Sequence, residues 1–442
     1  MGGCFQNKMD SRSHAFLFLM FISVAISDNE GNTTEPRVTE HPHNQEQLSN
    51  TINEFGFKLL TEEMKRNADT NIVMSPTGIA GLLSMALLGS AGNTYTELAT
   101  ALGFSQDILR NRAHHERFGS LLHLLSNSTT YADAILVAPR TRIRPLYREF
   151  LQRVYQGDAR AVEFTNAPLA RDTVNEWIKN HTKGKIEEFL KEPLPVETKV
   201  VLLSALYFSG QWMSPFLPEH TRKMAFKTPT GDVMADMMLN FGQFQYTYSA
   251  EDGVQMIALP YKDNTTTMYV LKPLKKLALP ELMNRLNYSR IDQLISKMIY
   301  DRAVIRFPKM DLKNSIHLED SLKSIGLSAM FSPTANFALM IDTDRDNSNE
   351  ELLTRIIFED KSQHIKDAVN GLPNPGVHVD TVLHEVRITI DEYGTEAVAA
   401  SGGFLSRTAE QFYVDSPFYM FIRDESTKLV TFSAAIFNPT LS

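Results

Sequence analysis

Residues 391–403 read Asp391-Glu-Tyr-Gly-Thr-Glu-Ala-Val-Ala-Ala-Ser-Gly-Gly403, a run of mostly small side chains set directly after a strand-like stretch. The preceding residues, 379–390, mix β-branched and apolar side chains with Asp380 and Arg387 and predict a buried or half-buried strand. In any strand continued beyond it, Thr395, Ala397, Ala399 and Ser401 share one face, and each is small enough to enter a packed layer without overpacking it. Such a segment can slip between two strands that already exist. Residues 401–411 carry no core pattern and predict an exposed loop, while 415–424 and 429–437 predict a hairpin of two further strands.

Upstream, Leu48, Ile52, Phe55 and Leu59 fall on one face of a helix. Pro76 opens a second helix with the apolar face Ile79, Leu82, Leu83 and Ala86. Residues 200–208 are apolar on both faces and predict a central strand, and 256–261 with 267–271 predict a hairpin around Lys262-Asp-Asn-Thr. With 442 residues, 43% hydrophobic and 22% charged, the chain can bury a large core and is too polar for a membrane protein. Its net charge of -8 argues against nucleic acid as a partner, because non-specific affinity for polyanions comes from clustered Lys and Arg. No linker or repeat divides the region from residue 48 onward.

The N-terminus places Lys8 and Arg12 ahead of a short apolar run, 15–26, and predicts a secretory signal peptide over 1–27, cleaved after Ser27. The single cysteine, Cys4, lies upstream of that cut, so the mature chain is expected to hold neither thiol nor disulfide. A polar, acidic, disordered leader is expected over 28–47, where His41 and His43 read as solvated and not as metal ligands. Asn32, Asn127, Asn180, Asn264 and Asn287 each sit in an Asn-x-Ser/Thr sequon and are glycosylation candidates in a secreted chain.

There is no G-x-S-x-G, H-E-x-x-H, phosphate-binding loop or dinucleotide fingerprint. His114, His115 and His123 lie on a helical stretch beside Glu116 and read as solvated, not as a catalytic or metal site. The chain is expected to be no enzyme, with neither cofactor nor metal.

Glu392-Tyr-Gly-Thr-Glu-Ala397, followed by small residues, Pro417-Phe-Tyr-Met-Phe-Ile422 and a closing Asn438-Pro439, resembles the hinge and C-terminal signature of the serpins. Asn71-Ile-Val-Met-Ser-Pro76, Leu88-Gly-Ser-Ala-Gly-Asn-Thr94, Val174-Asn-Glu-Trp177 with Thr182-Lys-Gly-Lys-Ile186, and Ala205-Leu-Tyr-Phe-Ser-Gly-Gln-Trp212 look like serpin blocks in serpin order. The resemblance runs from about Leu48 to the end and implies one mixed α+β domain over 48–442. That fold has a large central β-sheet, smaller sheets, surrounding helices and an exposed reactive-centre loop, here 392–416 with its hinge.

The implied activity is suicide inhibition of a serine protease by a secreted monomer, with no membrane partner and no indicated glycosaminoglycan cofactor. The hinge is Glu392, Gly394, Thr395, Glu396, Ala397, Val398, Ala399, Ala400 and Ser401. Arg407 is the only basic side chain in the loop and suits the acidic pocket of a trypsin-like enzyme, which makes Arg407-Thr408 the preferred reactive bond. Counting from Glu392 by the usual loop length selects Thr408, before Ala409, and Phe404 or Leu405 would suit a chymotrypsin-like enzyme.

By the same resemblance Ser75, Ser204 and His384 lie under the strands that part, with Ser204 where an asparagine is usual and Gly78 where a serine is usual. Glu392 and Lys309 match an ion pair at the top of the sheet, and Trp212 a packing residue beside it. Residues 341–376 depart from the pattern as a surface insertion, in which the apolar run 352–358 suggests an exosite as the sharper alternative. A non-inhibitory carrier or chaperone is the competing function; such members usually carry bulky, charged or proline residues in the hinge, where here only Val398 is even slightly large.

Overall fold

The computed structural model describes residues 43–125, 128–274, 277–342, 354, 356, 368, 369, 372, 374–394 and 409–441. The N-terminal part holds α1 (His43–Arg66), β1 (Ile72–Met74), α2 (Pro76–Leu88), α3 (Gly92–Leu102), α4 (Asn111–Leu124), β2 (Thr129–Val137), β3 (Arg142–Ile143), α5 (Pro145–Tyr155), β4 (Asp158–Ala161) and α6 (Ala167–His181). A strand-rich middle follows with β5 (Val200–Phe208), β6 (Arg222–Thr228), β7 (Gly231–Ser249), β8 (Val254–Pro260), β9 (Thr266–Pro273), α7 (Leu279–Arg285), α8 (Tyr288–Ser296), β10 (Ile299–Pro308), β11 (Met310–His317) and α9 (Glu319–Ser324). The C-terminal part adds β12 (Ile341–Asp342), β13 (Thr381–Ile390), β14 (Glu410–Tyr413), β15 (Phe418–Asp424) and β16 (Val430–Ile436).

A five-stranded sheet in the order β11-β13-β5-β2-β4 carries the candidate site. Its neighbours β13 and β5 run parallel, in register from Thr381 opposite Val201 to Ile388 opposite Phe208. A nine-stranded sheet, β1-β16-β15-β9-β8-β7-β10-β14 with β6 on β7, forms the other layer, held together by the 19-residue β7. A small pair, β3 with β12, completes the strands.

The sequence Val-Val-Leu-Leu-Ser-Ala-Leu-Tyr-Phe explains the central place of β5, because a strand covered on both faces must be apolar at odd and even positions alike. Val201, Leu203 and Ala205 pack on one side with Trp177 and Ile178 of α6. Val200 and Leu202 pack on the other with α2. Each fully buried leucine of this kind contributes about 1.5–3 kcal/mol. All thirteen residues of α2 are buried, so the helix can sit beneath the sheet; Ser75 caps its N-terminus by accepting a hydrogen bond from the Gly78 amide, and Pro76 supplies the first helical φ.

The expected strands and hairpins form where the patterns place them. Three expectations need correcting. Helix α1 begins at His43, ahead of the expected leader boundary at Gln47, because Glu46 in the first turn favours the helix N-terminus while Gln45 and Gln47 remain exposed. His115 is not solvated but 2% exposed, bonded through Nδ1 to the Tyr155 hydroxyl and set against Phe104. The residues 341–376 are not wholly a surface insertion: Ile356 and Val369 lie in the main core, Ile356 in a crevice with Leu88, Tyr95, His115 and Phe150. Apolar side chains within reach of a core leave water, and these two join the chain's own.

Candidate functional site

Strand β13 ends in the turn Asp391 to Gly394, whose geometry is set by one carboxylate and one glycine. Asp391 Oδ1 accepts from the amides of Tyr393 and Gly394 at 2.9 and 3.1 Å. Gly394 has φ +121°, and a β-carbon there would stand 2.1 Å from the carbonyl oxygen of Gly210. Glycine alone fits both constraints. Gly394 also bridges Gln211 just past β5, so the turn rests on the strand that neighbours β13.

Glu392 is 7% exposed, and each carboxylate oxygen has a partner. The Thr221 hydroxyl donates to Oε1 at 2.8 Å and Lys309 Nζ to Oε2 at 2.9 Å. Burial alone would raise its pKa, but Lys309 and Thr221 together hold it below the ordinary glutamate value. The same bond, opposed by partial burial, raises Lys309. Trp212 closes the arrangement: its Nε1 donates to the Asp391 carbonyl at 3.0 Å, its amide to the Tyr393 carbonyl at 2.9 Å, and its ring stacks on Tyr261 at 4.4 Å. Thus Glu392, Lys309 and Trp212 meet at one place, the top of the β5–β13 seam.

Below the seam, the Ser75 amide donates to His384 Nε2 at 2.8 Å, which leaves the ring proton on Nδ1. Ser204 stands opposite His384 in the strand register. Its Oγ makes no hydrogen bond among the described residues, in keeping with a serine filling the place of a larger, better-bonded side chain. A β-carbon on Gly78 would approach that oxygen to 3.0 Å, so the small residues at 78 and 204 accommodate each other.

The hinge residues Thr395, Glu396, Ala397, Val398, Ala399, Ala400 and Ser401, and the bond Arg407-Thr408, lie outside the described residues, as do Asn32 and Asn127. Asn180, Asn264 and Asn287 are exposed, on α6, in the β8–β9 turn and at the cap of α8. Asn287 bonds the Arg290 amide through Oδ1, which leaves its nitrogen available to carry a glycan. Sequence reasoning missed Thr221 and Tyr261: neither sits in a motif, and each becomes visible only when β13 brings its partner to it. Among the described residues no cluster of His, Cys, Asp and Glu has the makings of a metal site.

The family model for serpins, serine protease inhibitors, matches residues 50–439. The chain belongs to the serpin family. This serpin is 29% identical to serine protease inhibitor 28Dc of Drosophila melanogaster, over 89% of the chain and 80% of that relative. It is 28% identical to intracellular coagulation inhibitor 2 of Tachypleus tridentatus, over 88% and 91% respectively. Among solved structures, native protease nexin-1 with heparin matches with a TM-score of 0.75 at 26% identity, covering 89% of this chain and all of that one. The serpin is therefore a mixed α/β protein of a family of protease inhibitors, not of catalysts.

Proposed function

We propose that this serpin is a secreted inhibitor of trypsin-like serine proteases that acts by suicide cleavage of its reactive loop. The closed parallel seam between β5 and β13 is the observation that carries the reading. It is a pairing that, once parted, one further strand can enter antiparallel to both neighbours, and the run of small residues that would enter begins directly beyond Gly394. In this mechanism the protease serine attacks the Arg407 carbonyl, an acyl ester forms, and the bond to the Thr408 nitrogen breaks with that amine as leaving group. Insertion of the freed hinge then draws the acyl-enzyme away before water can hydrolyse the ester. The serpin contributes no catalytic group of its own.

Incubation with trypsin followed by denaturing electrophoresis tests the reading. A covalent band at the summed mass of the two proteins is expected. Cleaved serpin alone, with trypsin fully active, would instead assign a carrier or chaperone role. Secretion is tested by expressing the full chain in cultured eukaryotic cells: the medium should contain a protein whose N-terminus is Asp28.

A further inference from the structure

One buried carboxyl beneath the seam, that of Asp133, takes no part in the cleavage chemistry. In register across three neighbouring strands, Asp133 of β2 stands opposite Ser204 of β5, and Ser204 opposite His384 of β13. All three are buried, and Asp133 Oδ1, Ser204 Oγ and His384 Nδ1 each lack a hydrogen bond among the described residues. The row lies over α2, whose residues at successive turns suit it: the Ser75 amide meets His384, Gly78 leaves room for Ser204, and Gly81 leaves room for Asp133, where a β-carbon would lie 3.3 Å from Oδ2.

Other ionisable groups on the packed elements are already engaged. His384 accepts from the Ser75 amide, and burial keeps it neutral by lowering it to about 3. Tyr131, on the same strand as Asp133, is pushed up by burial and by the Asp133 carboxylate and stays a phenol. Asp158 of β4 pairs with Arg148 and Arg160. Glu385 follows His384 but points to the opposite face and pairs with Lys313 at 3.3 Å. No cation among these groups reaches Asp133.

We propose that Asp133 is a positioning residue for opening the β5–β13 seam: uncharged, it lets the row stay closed; ionised, it puts an unpaired carboxylate beneath β5 and speeds the parting of the strands. Burial raises this carboxyl to about 7. The raised group stabilises the closed sheet fully at acid pH, and that stabilisation is lost as pH climbs toward the folded value. Parting the strands admits water, so the penalty on the charged form is relieved in the open sheet and the opening rate rises with pH.

The experiment follows the full chain without protease, warmed below its unfolding transition, by size-exclusion chromatography. The rate of conversion to polymer or to a heat-resistant inserted monomer should rise on the order of tenfold between about pH 5.5 and about pH 8. Asp133→Asn should flatten the profile at the slow limb, whereas His384→Gln and Glu385→Gln should retain the rise. A flat wild-type profile, an unchanged rise in Asp133→Asn, or flattening by Glu385→Gln alone would overturn the proposal. Should Asp133→Asn fail to fold, Asp133→Ala decides: a flat profile supports the role, and a retained rise removes it. The inference rests on sheet opening as the inhibitory step, and the trypsin gel tests that step separately. A covalent complex with a flat profile would leave the inhibitor standing without an Asp133 brake.

Discussion

Arg407 carries the specificity of the proposed inhibitor through one guanidinium, because a trypsin-like pocket holds a buried carboxylate that an uncharged side chain leaves unpaired. Arg407→Ala should abolish the covalent complex with trypsin, and mass spectrometry of the C-terminal peptide released from the wild type should show Thr408 as its first residue. A peptide beginning at Ala409 or Ser406 would move the reactive bond. Glu392 and Lys309 act at the same scale. The lysine is nearly half exposed, so the pair itself contributes at most about 1 kcal/mol. Glu392→Lys should nonetheless raise polymer formation severalfold on mild warming, since two ammonium groups at the top of the seam favour a gap that a second molecule's loop can fill. The charge-swapped double variant should recover part of the loss, and equal polymer fractions in wild type and Glu392→Lys would rule out a holding role.

Elements were legible to different degrees. Strand β5 could be read from nine residues because burial on both faces leaves no polar alternation, and α2 from a proline followed by an apolar run. His115 was misread because its neighbours Arg112, His114 and Glu116 are polar; only the packing of α4 on α5 turns that position inward to Tyr155. The burial of Ile356 and Val369 is not legible within 341–376, because nothing local shows the core they join. The pairing of Glu392 with Lys309 was legible through the family resemblance, whereas Asp133 looked like an ordinary strand aspartate until the register set it beside Ser204. For the hinge the prediction follows from the seam. Thr395→Arg or Ala397→Arg would bury an unpaired charge between β5 and β13, at a cost of about 3–5 kcal/mol. Trypsin should still cleave both variants, with the covalent band replaced by cleaved chain; full inhibition by both would end the insertion mechanism.

At the scale of the whole molecule, two buried imidazoles contribute to the loss of stability in acid. His115 and His384 are each lowered by burial to about 3, with the neighbouring His114 lowering His115 further. Their folded values lie below the unfolded value of about 6.5. The unfolded chain therefore binds more protons, and stability is lost as pH falls from about 6.5 toward 3. Thermal unfolding of the full chain should show a midpoint falling through this window, less steeply in His115→Gln. A parallel slope in that variant would mean that His115 does not contribute.

The first core helices are finished by the last residues of the chain. Asn53 bonds the Lys428 carbonyl and the Val430 amide, Thr77 bonds the Val430 carbonyl, and β1 pairs with β16. The β5–β13 seam itself joins segments 180 residues apart. During synthesis, α1 and α2 thus wait for contacts that do not exist until β15 and β16 emerge, and the hinge leaves the ribosome before β16 can close over them. On the proposed mechanism maturation is then a race in time: the C-terminal hairpin must dock before the hinge finds the open seam, and any slowing of translation between Gly394 and Val430 lengthens the interval in which the proposed inhibitor can be spent before it meets a protease.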